Sequence, residues 1–255
     1  MKLNKKIIIL LPARFSSTRI KKKLLKKLNG IPLIAHTILR TKMIKNIEKI
    51  IVCTDSVIIK KLVEKFGIKS VMTSLKHKNG TERIAEVSKK IKKADLFVDI
   101  HSDEAVLDPK NVEKLIKFHL KNMRFDIVVP HKISNSSGGK NIVKMVFNKD
   151  SKVLYLSRAK VPFSFRFKGK KFFHHLDTIS FKPEALKKFS KYPEGELEKI
   201  EGIELMRALE NNLSVGTLPI KTSSFSINTS EDFIKAKKYL KKDKLYRRYY
   251  AKIKF

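Results

Sequence analysis

Five consecutive aliphatic residues, Ile7-Ile8-Ile9-Leu10-Leu11, open the apolar pattern of the chain, with charge before them and Pro12 behind. Such a run reads as a strand buried on both faces, and Pro12, which has no backbone donor, ends it. The same texture returns at residues 49–53, 69–72, 94–100 and 126–130. Between these runs, residues 32–40, 57–66 and 79–87 place apolar side chains at helical spacing. Pro32 stands at a helix start and Gly67 at a helix end. Strand and helix alternating up to Pro130 predict an α/β fold, a doubly wound, Rossmann-like and mostly parallel sheet. Beyond Pro130 the pattern changes. A Ser- and Gly-rich turn covers residues 134–140, and a hairpin pairs residues 142–147 with 153–156 across Asn148-Lys149-Asp150-Ser151. Residues 172–181 then read as a strand and 196–207 as a helix, and a last amphipathic helix is capped by Thr229 or Ser230. The expected division is a larger, ligand-binding α/β lobe over residues 1–133, to which 214–255 return, and a smaller mixed α+β lobe over 134–213.

With 255 residues, 42% of them hydrophobic, the chain can bury a full core. A single cysteine, Cys53, excludes a disulfide framework and a multi-cysteine metal site. No apolar run reaches the ~20 residues that cross a bilayer. The first apolar run is also too short for a secretory leader, so a soluble, cytoplasmic protein is expected. The formal charge of +34 points to anionic partners. Its lysines are spread over every predicted helix and not gathered into a stripe, which favours a compositional bias and argues against a specific nucleic-acid surface. The basic, aromatic stretch 241–255 reads as a peripheral helix, with a membrane-surface or phosphate-contacting role as the alternative.

The candidate chemistry begins where the first strand ends, the place at which open α/β sheets hold ligands. Arg14, Arg19 and Lys23 on one loop, with the hydroxyls of Ser16, Ser17 and Thr18, can surround a polyphosphate. The competing reading is a solvated basic loop. At Asn79-Gly80-Thr81-Glu82-Arg83 a glycine and free N–H groups at a helix start suit a nucleotide, or simply make a capped helix. Asp103-Glu104 closes a strand with acids. His174 and His175 are neighbours on a strand and point to opposite faces, so they do not share a metal. Gly139-Lys140 lacks the spacing of a phosphate-binding P-loop.

These pieces also carry a resemblance. Pro12-Ala13-Arg14-Phe15-Ser16-Ser17-Thr18-Arg19-Ile20, then Lys23, then Asn29-Gly30-Ile31-Pro32-Leu33, resembles the nucleotide-binding signature of the CMP-sugar synthetases. Most of all it resembles the 3-deoxy-manno-octulosonate cytidylyltransferase (CMP-Kdo synthetase) family. Further family motifs recur in order: Gly80-Thr81-Glu82-Arg83, Asp103-Glu104, Ser157-Arg158-Ala159-Lys160-Val161-Pro162, His175, the segment from Glu198 to Arg207, and Asn228-Thr229-Ser230-Glu231-Asp232.

The resemblance implies nucleotidyl transfer from CTP to a 2-keto sugar acid, with Mg2+, in a homodimer serving lipopolysaccharide biosynthesis. It implies that Arg14, Arg19 and Lys23 hold the triphosphate and that Ala13, Ser17, Gly80, Thr81 and Arg83 lie along the nucleotide. Arg14, Lys23 and Asp103 are the catalytic set. Arg158 and His175 face the sugar, with Glu201 and Glu204 beside them. Asp103 takes one magnesium position and Asn228 the other, where the family has aspartate. His101, Ser102, Ala105, Asp177, Ile179 and Leu205 also depart from the family pattern. The alternatives are a catalytically impaired nucleotide-binding paralogue with a regulatory role, or a basic nucleic-acid-binding protein.

Overall fold

The computed structural model describes residues 5–16, 20, 22–166 and 169–251. The chain runs β1 (Ile7–Ala13), β2 (Lys27–Leu28), β3 (Ile31–Pro32), α1 (Leu33–Thr41), β4 (Lys49–Thr54), α2 (Val57–Glu64), β5 (Lys69–Met72) and α3 (Gly80–Ser88). It continues through β6 (Leu96–Asp99), α4 (Pro109–Lys121), β7 (Ile127–Ser134), β8 (Lys144–Phe147), β9 (Val153–Ser157), β10 (Phe172–His175) and β11 (Ile179–Phe181). Last come α5 (Pro183–Phe189), α6 (Glu196–Glu201), α7 (Met206–Glu210), β12 (Val215–Pro219), α8 (Ser230–Lys242) and α9 (Lys244–Tyr250). The fold is α/β, as the alternation requires.

Two compact units divide the chain. The first holds Met1–Lys92, Asp99–Lys110 and Ser223–Phe255; the second holds Lys93–Val98 and Asn111–Thr222. In the first unit β1, β4 and β5 pair in parallel, Ile8 to Ala13 running beside Lys49 to Thr54. Every β1 residue except Pro12 is buried, as a strand covered on both faces must be. Parallel pairing sets the carboxyl ends of these strands, Ala13 and Thr54, side by side. Within residues 223–251, α9 and the residue before it dock on α1. Arg40 pairs with Asp243, and the Tyr249 hydroxyl lies 2.6 Å from His36 Nδ1. His36 Nε2 is 2.9 Å from the Leu28 carbonyl, and Tyr246 stacks on the same ring. Burial lowers the His36 pKa to about 4, opposed by the carbonyl bond, so the imidazole is neutral. The described part of the basic tail, to residue 251, is thus a docked helical element, with Tyr246 and Tyr249 buried.

The second unit is organised on β7. Antiparallel β10 and β11 and parallel β12 all pair with it, and β8 joins β10 and β9. Pro130 sits inside β7, between the residues paired with β11 and those paired with β10. A residue without an N–H is tolerated at such a break in a ladder. The two units differ from the expected lobes. Residues 93–98, 111–133 and 214–222 fall in the second unit, the last of these because β12 finds its partner in β7.

Two other expectations change. Residues 172–181 form two strands and not one, with Leu176–Thr178 between them. The predicted helix 196–207 breaks at Gly202, whose φ of +60° closes α6 in a left-handed cap. Glu204 therefore does not share a helix face with Glu198 and Glu201.

Candidate functional site

In the first unit the motif residues gather around the end of β1. Ala13 is its buried last residue and Arg14, immediately beyond, is exposed. Gly80 begins α3 where a Cβ would meet Pro12 Cγ at 3.2 Å, so glycine lets the helix start close against the strand. Asn79, not Thr81, caps that helix by accepting the Glu82 N–H. Ser17 and Arg19 lie outside the described residues.

Arg83 is buried and internally bonded. It donates to Asp55 Oδ2 at 2.7 Å, to Thr73 Oγ1 and to the Ser74 carbonyl at 3.4 Å. Asp55 in turn accepts the Phe15 N–H at 3.0 Å, so the pair ties the strand ends to the first residues of the basic loop. Asp55 belongs to the Thr54-Asp55 that ends the second buried strand, as in the cytidylyltransferases, but the sequence reading gave it no role in the site.

Lys23 lies in a single 3-10 turn, Lys23–Leu25, entered through Lys22 at φ 51°, ψ 39°. Its ammonium donates to the Asp103 carboxylate and, at 2.9 Å, to the Ile227 carbonyl. The Ile227 N–H reaches back to the Asp103 carbonyl at 3.4 Å. Residues 23, 103 and 227, far apart in sequence, thus meet, and Asn228 follows directly. Ser102 Oγ donates to the Pro12 carbonyl at 2.7 Å and Ser226 Oγ to Glu104, bracing the same junction. Thr229, not Asn228, caps α8, accepting the Asp232 N–H.

The second unit holds the remaining candidates. The Arg158 guanidinium donates to three carbonyls, Glu201 at 2.8 Å, Gly202 at 2.9 Å and Lys140 at 3.1 Å. The Glu201 carboxylate accepts from Ser157 Oγ at 2.6 Å and the Arg158 N–H at 2.8 Å. Burial would raise the Glu201 pKa, but these bonds, with one from Tyr155, outweigh it and hold the carboxyl below its usual value. Arg158 and Glu201 are therefore joined, with their polar atoms turned to the protein. His175 ends β10, its backbone N–H on the Val143 carbonyl and Nδ1 3.7 Å from Asp177. Glu204 lies between α6 and α7, while Glu198 and Arg207 make a buried two-pronged pair at 2.6 and 2.7 Å. Lys144 was also missed. It is buried with Nζ on the Ile142 carbonyl at 2.7 Å and on the Arg158 carbonyl. A lysine inside the apolar strand Lys144-Met145-Val146-Phe147 was the available signal.

Among the described residues no three His, Cys, Asp or Glu cluster as a metal cage. The donor set at Asp103 is one carboxylate beside the Ile227 backbone carbonyl, with Asn228 next in sequence. That set fits a hard cation which takes most of its shell from substrate phosphates.

A family model described as Cytidylyltransferase matches residues 8–221. A 3-deoxy-manno-octulosonate cytidylyltransferase from Chlorobium limicola is 32% identical, covering 92% of this chain and 97% of its own. An 8-amino-3,8-dideoxy-manno-octulosonate cytidylyltransferase from Shewanella loihica is also 32% identical, covering 89% of this chain and 95% of its own. Among solved structures, a CMP:2-keto-3-deoxy-manno-octonic acid synthetase complexed with CTP superposes with a TM-score of 0.88. It shares 25% identity and covers 93% of this chain and 99% of that one.

Proposed function

The chain belongs to the cytidylyltransferase family, and from that premise we propose the reaction of this site: cytidylyl transfer from CTP to a 2-keto sugar acid of the 3-deoxy-manno-octulosonate type. The anomeric hydroxyl of the acceptor attacks the α-phosphorus as it loses its proton. The bond to the β-phosphate breaks, and pyrophosphate leaves. Transfers of this kind depend on positioning and on neutralising phosphate charge.

The observation that carries the reading is the meeting of Lys23, Asp103 and Ile227, braced to the carboxyl end of β1 by the Ser102–Pro12 hydrogen bond. Arg14 and Lys23 hold the triphosphate, with Arg19 on the same loop in sequence. Gly80 and Thr81 bring the start of α3 to the nucleotide, and Arg83 acts behind them by holding Asp55 and the Phe15 amide. Asp103 and Asn228 would hold magnesium, which, when bound, neutralises the phosphates and orients the leaving pyrophosphate. On the acceptor side, His175 and Glu204 face the sugar, while Arg158 and Glu201 shape the segment between β9 and α6. A homodimer working in the cytoplasm toward lipopolysaccharide belongs to the same reading, supported by the family motifs.

Thermal melting with each nucleoside triphosphate and magnesium tests the donor. CTP at a hundredfold excess over its dissociation constant should add about 2.7 kcal/mol. Pyrophosphate release against a panel of 2-keto sugar acids tests the acceptor. Equal stabilisation by all nucleotides, or release without such an acceptor, would overturn the proposal.

A further inference from the structure

We infer that Lys23 is a latch on the cation site: in the nucleotide-free protein its ammonium is the counter-ion of Asp103, and only a triphosphate that draws it away opens that carboxylate to a divalent cation. The inference rests on the cytidylyl-transfer reading and adds an order of events to it. The ammonium sits between the Asp103 carboxylate and the Ile227 carbonyl. Both charged side chains are largely shielded, at 14% and 15% exposure, so the attraction between them is only partly screened by water.

A divalent cation entering this place meets a carboxylate already neutralised and a like charge in contact with it. The Ile227 carbonyl, which shares the Lys23 donor with the carboxylate, is taken by the same ammonium. A polyphosphate changes the balance, because it offers the ammonium several negative oxygens in place of one carboxylate. As Lys23 swings to the phosphates, the Asp103 carboxylate and the Ile227 carbonyl are released together. They form an anionic and a neutral oxygen side by side, as a hard cation prefers.

The backbone is arranged for that movement. Lys22 holds a left-handed conformation without being glycine, and this turn brings Lys23 onto Asp103. Leu24 is buried and anchors the turn, so the lysine can change partners while the loop stays attached.

Binding of Mn2+, followed by loss of the free-ion paramagnetic resonance signal in the absence of nucleotide, tests the latch. The wild type should bind Mn2+ weakly. Lys23→Met should bind it about tenfold more tightly or better, as expected when one like charge leaves the side of a carboxylate. Adding Asp103→Asn to Lys23→Met should remove the gain. With CTP present the order should invert, the wild type binding Mn2+ more tightly than Lys23→Met, because the lysine then serves the phosphates. Circular dichroism establishes that each variant is folded. If Lys23→Met is not, Lys23→Gln, which keeps a donor for Ile227 but no charge, carries the same comparison. A folded variant that binds Mn2+ no better than the wild type overturns the latch. Stabilisation of the wild type by CTP, measured on the same samples, judges the transfer reading separately.

Discussion

Replacing Arg83 by methionine separates a brace from a nucleotide contact. The Arg83 and Asp55 side chains are 4% and 8% exposed, with guanidinium and carboxylate 2.7 Å apart. Without the guanidinium, the Asp55 carboxylate stays buried with the Phe15 N–H as its remaining hydrogen bond among the described residues. Breaking one side of a buried pair costs about 3–5 kcal/mol, because the other charge is left uncompensated. For a chain of this size each kcal/mol moves the melting temperature by roughly 2–4 °C, so a fall of about 6–20 °C is expected. Phe15 follows Arg14, so the loosened carboxylate should also weaken CTP binding. The double variant Arg83→Met, Asp55→Asn should recover much of the lost stability, since it buries no unpaired charge. Differential scanning calorimetry with and without CTP reads both effects. A loss below about 1 kcal/mol, the range of solvent-exposed pairs, would refute the buried-brace argument. So would a Arg83→Met protein that keeps its stability and loses only CTP affinity, which would put the guanidinium on the nucleotide.

Two further outcomes follow from the structure. Asn228→Asp supplies the proposed cation site with a second carboxylate, so product formation should saturate at lower magnesium than in the wild type, and Asp103→Asn should abolish turnover. Identical titrations of wild type and Asn228→Asp would remove residue 228 from the metal; Thr229 makes the cap, so a cap change would not confuse the result. Acid should also weaken the fold between pH 6.5 and 4. Burial first of all lowers the pKa of His36 and of His119 to about 4, so the folded chain refuses a proton that the unfolded chain accepts below 6.5. Stability is then complete above 6.5 and declines as the pH falls toward 4, by roughly 3 kcal/mol per histidine at 1.36 kcal/mol per pKa unit. Urea midpoints across that window check the sign, and pH-independent midpoints would contradict it.

The local elements were legible because their causes are local. A run of aliphatic residues makes β1, although the strand continues through Pro12 to Ala13 where the proline was expected to end it; residues 69–72 form β5 as expected, and Asn79-Gly80 starts α3. The basic loop and the acid at residue 103 were legible as positions, since both follow the carboxyl ends of buried strands. What these residues touch was not. Arg83 and Arg158 look alike in sequence as cations offered to a ligand, yet the fold commits the first to Asp55 and the second to the carbonyls closing α6. A guanidinium takes whatever acceptors packing brings within reach, and here those come from segments 28 and 43–44 residues away. The break at Gly202 followed the same rule, since helical spacing continues through a residue whose left-handed conformation only the packed chain selects.

Charge along the chain announced a basic protein and left its tail without a place; tertiary structure docked that tail through the Arg40–Asp243 pair and the His36–Tyr249 bond. By itself the sequence determined the strands and helices of the first α/β stretch, because propensity and pattern act over a few residues, while α4 and α5 went unread. Only the tertiary structure decided that Lys23 rests on Asp103, since that contact spans 80 residues and exists only once β1 and residues 99–110 are packed in one unit.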